Sequence, residues 1–121
     1  MPARKPVDPS DLRAAVSAWL TEPDPPRPIV AAAVRLSLRT LEDIAPGHTV
    51  EVRVPPFAAI QCVDGPRHTR GTPPNVIETD PRTWLELATG RLTWEDAVET
   101  GRVTASGLRA DLTAYLPLVR L

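Results

Sequence analysis

The chain has 121 residues, among them 15 prolines, and carries 14 basic against 15 acidic side chains. Hydrophobic residues make up 42%, so the proline excess does not signal disorder, which takes low hydrophobicity or high net charge. The balanced charge argues against a broad nucleic-acid-binding face, the single Cys excludes an internal disulfide framework, and no apolar run reaches the ~18 residues of a membrane helix.

Residues 1–7 read as a flexible arm. Asp8 then caps a helix, Pro9 suits its first position, and Asp11 meets the positive first turn. Leu12, Ala15, Val16, Trp19 and Leu20 recur at helical spacing behind it. Pro23-Asp24-Pro25-Pro26-Arg27-Pro28 ends that helix as a stiff connector. A second helix is expected over residues 28–45. Arg35, Arg39, Glu42 and Asp43 form its narrow polar stripe, and Pro46-Gly47 stops it.

The period then falls to two. Val50, Val52 and Val54 alternate with Glu51 and Arg53, which predicts a half-buried strand. Pro55-Pro56 separates it from a second strand over Phe57–Val63. Asp64-Gly65-Pro66 is a turn, residues 67–73 are loop-like, and Asn75–Thr79 is a third strand expected near an edge because Pro74 leads it. Asp80-Pro81 opens a short helix closed by Gly90. Thr93-Trp94-Glu95-Asp96 resembles a capping box with Asp in place of Glu. Val103 and Ala105 alternate in a last strand broken by Gly107, and Leu108, Leu112, Tyr115 and Leu116 predict a terminal helical turn or two. The order is α+β, with a mostly antiparallel sheet.

Little here has the form of a catalytic site. Cys62 shares a strand face with Ile60, as a buried structural thiol does. Asp80, Glu95 and Asp96 fall at helix starts, where carboxylates cap. No metal or cofactor is expected. Arg67, His68 and Arg70 form the one local positive cluster, which reads either as a solvated hairpin loop or as a surface for an anionic headgroup or a partner. Trp19, Trp84 and Trp94 fall on apolar faces, as core packing requires and as a ligand pocket also would.

The segment from Asp80 to Ala97 resembles the signature of the sterol carrier protein type two superfamily. An acidic residue opens a helix, Leu87-Ala88-Thr89-Gly90-Arg91-Leu92 follows the family's Leu-Ala-x-Gly-Lys-Leu step with Arg91 for Lys, and a second short helix ends at Gly101. A strand closed by Gly107 comes next, so the resemblance spans residues 48–117, with residues 8–45 as compatible N-terminal helices in one domain over residues 1–121. The chain is most similar to compact bacterial orthologues, especially actinobacterial ones. Pro55-Pro56 departs from the Gly-containing turn usual in the family.

The resemblance implies a sheet of about five largely antiparallel strands with helices on one face. Between them it implies an apolar cavity for a fatty acyl chain, a phospholipid or a sterol-like molecule. By matching position, Val52, Val54, Ile60, Trp84, Leu85, Ala88, Leu92, Trp94, Val98, Val103, Leu112 and Leu116 are expected near that cavity. The implied function is non-catalytic binding or carriage of an apolar ligand in the cytoplasm. The alternative is a protein-interaction module that keeps the fold without a usable tunnel and meets its partner through loop 64–74.

Overall fold

Two Asp-Pro steps, Asp8-Pro9 and Asp80-Pro81, open helices. Asp8 accepts hydrogen bonds from the Ser10 amide (2.8 Å) and hydroxyl (2.7 Å), and α1 runs over Pro9–Thr21. Asp80 accepts from the Thr83 amide (3.0 Å) and hydroxyl (2.6 Å), and α3 runs over Pro81–Ala88. These bonds satisfy amides that a helix leaves unpaired at its start. The structure, a computed structural model, describes residues 4–65 and 75–121.

The longest helix, α2 (Arg27–Ile44), follows the proline connector and turns Ala31, Ala33, Val34, Leu38 and Leu41 inward. It packs against α1 and α3 and against the sheet. The arm ahead of α1 is held at residues 4–7: the Val7 amide donates to Asp43 (2.8 Å), and Arg4 pairs with the same carboxylate (3.0 Å). Val7 then joins Leu12, Val16 and Val119 in a small apolar cluster beside the main core.

Gly47 makes the turn into the sheet. Its φ of +150° suits glycine, and a Cβ there would collide with the Val63 carbonyl. Strand β1 (Val50–Val54) turns at Pro55-Pro56, whose peptide is cis, into β2 (Ala58–Cys62). The Phe57 amide closes the turn on the Val54 carbonyl (3.0 Å). Strand β3 (Asn75–Thr79) lies on the other side of β1, and β4 (Val103–Ser106) lies beyond it. Between β3 and β4 come α3 and the short α4 (Trp94–Glu99), capped by the Thr93 hydroxyl accepting from the Asp96 amide (3.1 Å).

The α+β class holds, but the sheet differs from the expected one. Among the described residues it has four strands, not about five, in the order β2-β1-β3-β4. It is also mixed: β1 pairs antiparallel with β2 but parallel with β3. The register explains this. Cys62 and Asn75 flank Val50 on opposite sides, so the chain leaves β2 and enters β3 at the same end of the sheet. A strand entered there must run alongside β1 in the same direction. β3 is therefore internal rather than at an edge, and its ladder begins only after Pro74.

The C-terminal helix expected over Leu108–Leu116 does not form; the chain makes turns instead. Asp111 accepts from the Thr113 amide (2.8 Å) and hydroxyl (2.6 Å), a local bond that competes with helical pairing. Ala110 and Leu112 are still buried.

The helices cover one face of the sheet. Val50, Val52, Val54, Cys62, Ile77 and Val103 point into the core, while Arg53 and Glu78 are exposed on the other face, where Arg53 pairs with Glu51. At the centre the fully buried Trp84 indole donates to the Ser37 hydroxyl (2.8 Å). Ser37 in turn donates back within α2, to the Ala33 carbonyl (2.7 Å). Ser37→Ala strands the indole N–H in an apolar core and is expected to cost about 1–3 kcal/mol. Urea unfolding followed by circular dichroism measures it; a change within error would show that the indole finds another acceptor.

Candidate functional site

The end of α3 shapes a largely apolar opening. Gly90, with φ +76°, turns the chain out of the helix toward α4. The C-terminal segment then returns across this turn. Its Leu118 and Val119 amides both donate to the Ala88 carbonyl (2.8 and 3.1 Å), and Val119 is buried against α1. Between the turn and the returning strap lies a slot of about 240 Å³. Leu87, Leu92, Trp94, Leu116 and Pro117 give it apolar lining, Thr93 and Thr113 polar lining, and Arg120 is the one charged lining residue among those described.

A second opening, about 800 Å³, lies between the end of α1, the proline connector and the start of α3. Trp19, Leu20 and Val30 give it some apolar surface, but Glu22, Asp24, Asp80, Arg82, Glu86 and Arg91 line it as well. A third opening holds Trp94 and Val98 beside Glu95, Glu99 and Asp111.

The residues expected at a cavity divide into groups. Leu92, Trp94 and Leu116 meet in the slot. Val52, Val54, Trp84, Leu85, Ala88 and Leu112 expose no surface at all, so as folded they border neither solvent nor a space large enough for water. Val103 is buried at the sheet edge, and Ile60 is half-buried against the core. Val98 is 42% exposed and faces the third opening. Arg67, His68 and Arg70 lie outside the described residues, as does most of loop 64–74.

Residue reading alone missed the slot's Arg120, Thr113 and Pro117. Thr113 falls within the stretch whose spacing predicts a helix, and residues 117–121 after it have neither helical nor strand period, so no pattern announces these three at a slot. It also missed Asn75, which is buried and bonds in two directions. Its amide donates to the Thr49 carbonyl (2.9 Å) and its oxygen accepts from the Arg109 amide (2.8 Å).

Several titratable groups are committed to structural contacts. Burial pushes the Cys62 thiol up to about 12, and the Glu42 carboxylate adds to the effect. His48 pairs with Gln61 (2.7 Å). Burial would raise the Asp80 carboxyl, but its hydrogen bonds from Thr83 and the charge of Arg102 outweigh this and hold it below the usual range. Glu86 behaves alike: burial opposes ionisation, and pairing with Arg102 (3.1 Å) and Arg82 (2.9 Å) more than offsets it. Among the described residues, no three His, Cys, Asp or Glu side chains are placed to hold a metal ion, and no helix is long and apolar enough to cross a membrane.

The model of one protein family, the bacterial SCP ortholog, matches residues 26–118. The chain belongs to this family of sterol-carrier-like bacterial proteins. The match begins just ahead of α2, so this helix belongs to the family's common part, while α1 lies outside it. The slot, from Leu87 to Pro117, falls wholly within the sterol-carrier-like match except for Arg120. No curated protein is significantly similar to the chain.

Two outcomes follow from the electrostatics. The lowered carboxyls of Asp80 and Glu86 stabilise the fold fully above the ordinary carboxylate pKa, and this contribution is lost as pH falls through the lowered values. Asp80→Asn is expected to lower the urea midpoint near neutral pH and to flatten its fall on the acid side, measured by urea titrations across a pH series. An unchanged acid slope would overturn the assignment. Native Cys62 is expected to resist iodoacetamide and to react only in denaturant, as intact mass before and after treatment reads out.

Proposed function

We propose that this protein binds and carries an apolar ligand in the cytoplasm without catalysing a reaction on it. The observation that carries the reading is an apolar slot in a member of a sterol-carrier-like family. Leu92, Trp94 and Leu116 are the contacts, and the apolar part of a fatty acyl chain, a phospholipid or a sterol-like molecule is the occupant. Burial of such surface supplies about 25 cal/mol per Å². Val52, Val54, Trp84, Leu85, Ala88, Val103 and Leu112 supply the packed core on which the slot is built.

The chemistry of the remaining groups supports a non-catalytic role. A thiol with a pKa of about 12 is a poor nucleophile at neutral pH. Asp80 and Glu86 are ionised and engaged in capping and ion pairs, which leaves them ill-suited to proton transfer.

Delipidated protein titrated with 1-octanol is expected to show a saturable change in tryptophan fluorescence. Trp94→Phe should remove most of that change, and Leu116→Trp, which fills the slot, should weaken binding about tenfold or more while circular dichroism stays unchanged. Absence of saturable binding of both octanol and octanoate to the native protein would overturn the reading.

A further inference from the structure

The slot has an uneven chemical character. Its walls are apolar, its two threonines are occupied elsewhere, and one charged residue lines it among those described. Thr93 accepts from the Asp96 amide at the start of α4, and the Thr113 hydroxyl donates to Asp111. Arg120 is exposed and makes no hydrogen bond or ion pair with any described residue. Around the second opening and α3, Arg82 and Arg102 both pair with Glu86, while Arg91 borders an opening lined largely by charged residues.

Arg120 is nevertheless held in place. The residue before it, Val119, donates its amide to Ala88 and is buried beside Leu12 and Val16. The backbone at the base of the Arg120 side chain is therefore fixed relative to α3, and Arg120 lines the apolar slot. A guanidinium in that position matches a planar anion with two oxygens.

We propose that the slot selects a short-chain carboxylic acid, with the acyl chain between Trp94 and Leu116 and the carboxylate on Arg120. The inference rests on the apolar-ligand reading above and narrows it in two respects. Charge complementarity with Arg120 favours an acid over a neutral lipid. Size favours a short chain: about 240 Å³ is below the roughly 300–1,000 Å³ of sites that enclose a drug-sized molecule. A sterol nucleus or a whole phospholipid exceeds it. A longer acyl chain leaves part of its length in solvent.

The test compares octanoate with 1-octanol, which share a chain and differ in the charged end. Equilibrium dialysis near neutral pH and at low salt is expected to show octanoate binding about fivefold more tightly, the scale of an exposed ion pair, with the difference shrinking as salt is added. Arg120→Gln is expected to abolish the preference for octanoate over octanol, with the circular dichroism spectrum showing that the fold is kept. Arg120→Lys is expected to keep part of it, because charge remains and the planar fork is lost. Equal binding of the two probes by the native protein, or a preference that survives Arg120→Gln, overturns the role of Arg120 and leaves the apolar-ligand reading standing. A preference that survives Leu116→Trp places the acid elsewhere and overturns the slot assignment. Failure of both probes to bind overturns the underlying reading and this inference with it.

Discussion

The indole of Trp84 bonded to the hydroxyl of Ser37 is the interaction around which the rest is arranged. The two residues are 47 positions apart, on α3 and α2, and both are fully buried. An indole of this size gains roughly 4–6 kcal/mol by leaving water, as an upper bound. The hydrogen bond is worth less than that burial, but it is directional. Burial alone lets α3 slide or rotate against α2; an N–H that must find one oxygen allows one placement. Ser37 is suited to this because its own proton is satisfied within α2, by the Ala33 carbonyl, which leaves its oxygen free to accept.

With α3 fixed, the parts that depend on it follow. Ala88 at its end presents one carbonyl to two amides of the returning strap. Glu86, two residues earlier, gathers Arg82 and Arg102 and so joins α3 to the residue just before β4. The Thr79 hydroxyl donates to the Arg102 carbonyl (2.8 Å), which extends the same connection to β3. The slot is the space left between a helix end that cannot move and a strap tied to it. Its shape is a consequence of these bonds, so its walls are largely preformed.

The helices and strands were legible from local rules to a large extent. Asp8-Pro9, Asp80-Pro81 and the Thr93-to-Asp96 box marked three helix starts because capping is a contest between neighbouring atoms. The alternation of Val50, Val52 and Val54 marked a strand with one buried face. The terminal helix was misread because Leu108, Leu112, Tyr115 and Leu116 have helical spacing while Asp111 and Thr113 favour a local turn. Leu108 then points fully into solvent, where periodicity had given it a buried face. Of the candidate site, Leu92, Trp94 and Leu116 were placed by resemblance; Arg120 belongs to a segment without period and gave no signal.

The sequence by itself determined the elements, which of their faces are apolar, and the family to which the chain belongs, because each is set by residues close together along the chain or by an ordered series of such residues. Strand order and direction were decided only in three dimensions. The same alternation builds parallel and antiparallel ladders, and it is the placement of Cys62 and Asn75 on either side of Val50 that makes the sheet mixed. The tertiary structure likewise decided which apolar residues are sealed in the core and which border open space. Trp84 and Trp94 look alike in sequence, each on an apolar helical face. Ser37 draws the first inside, and the strap held by Ala88 leaves the second at the wall of a slot.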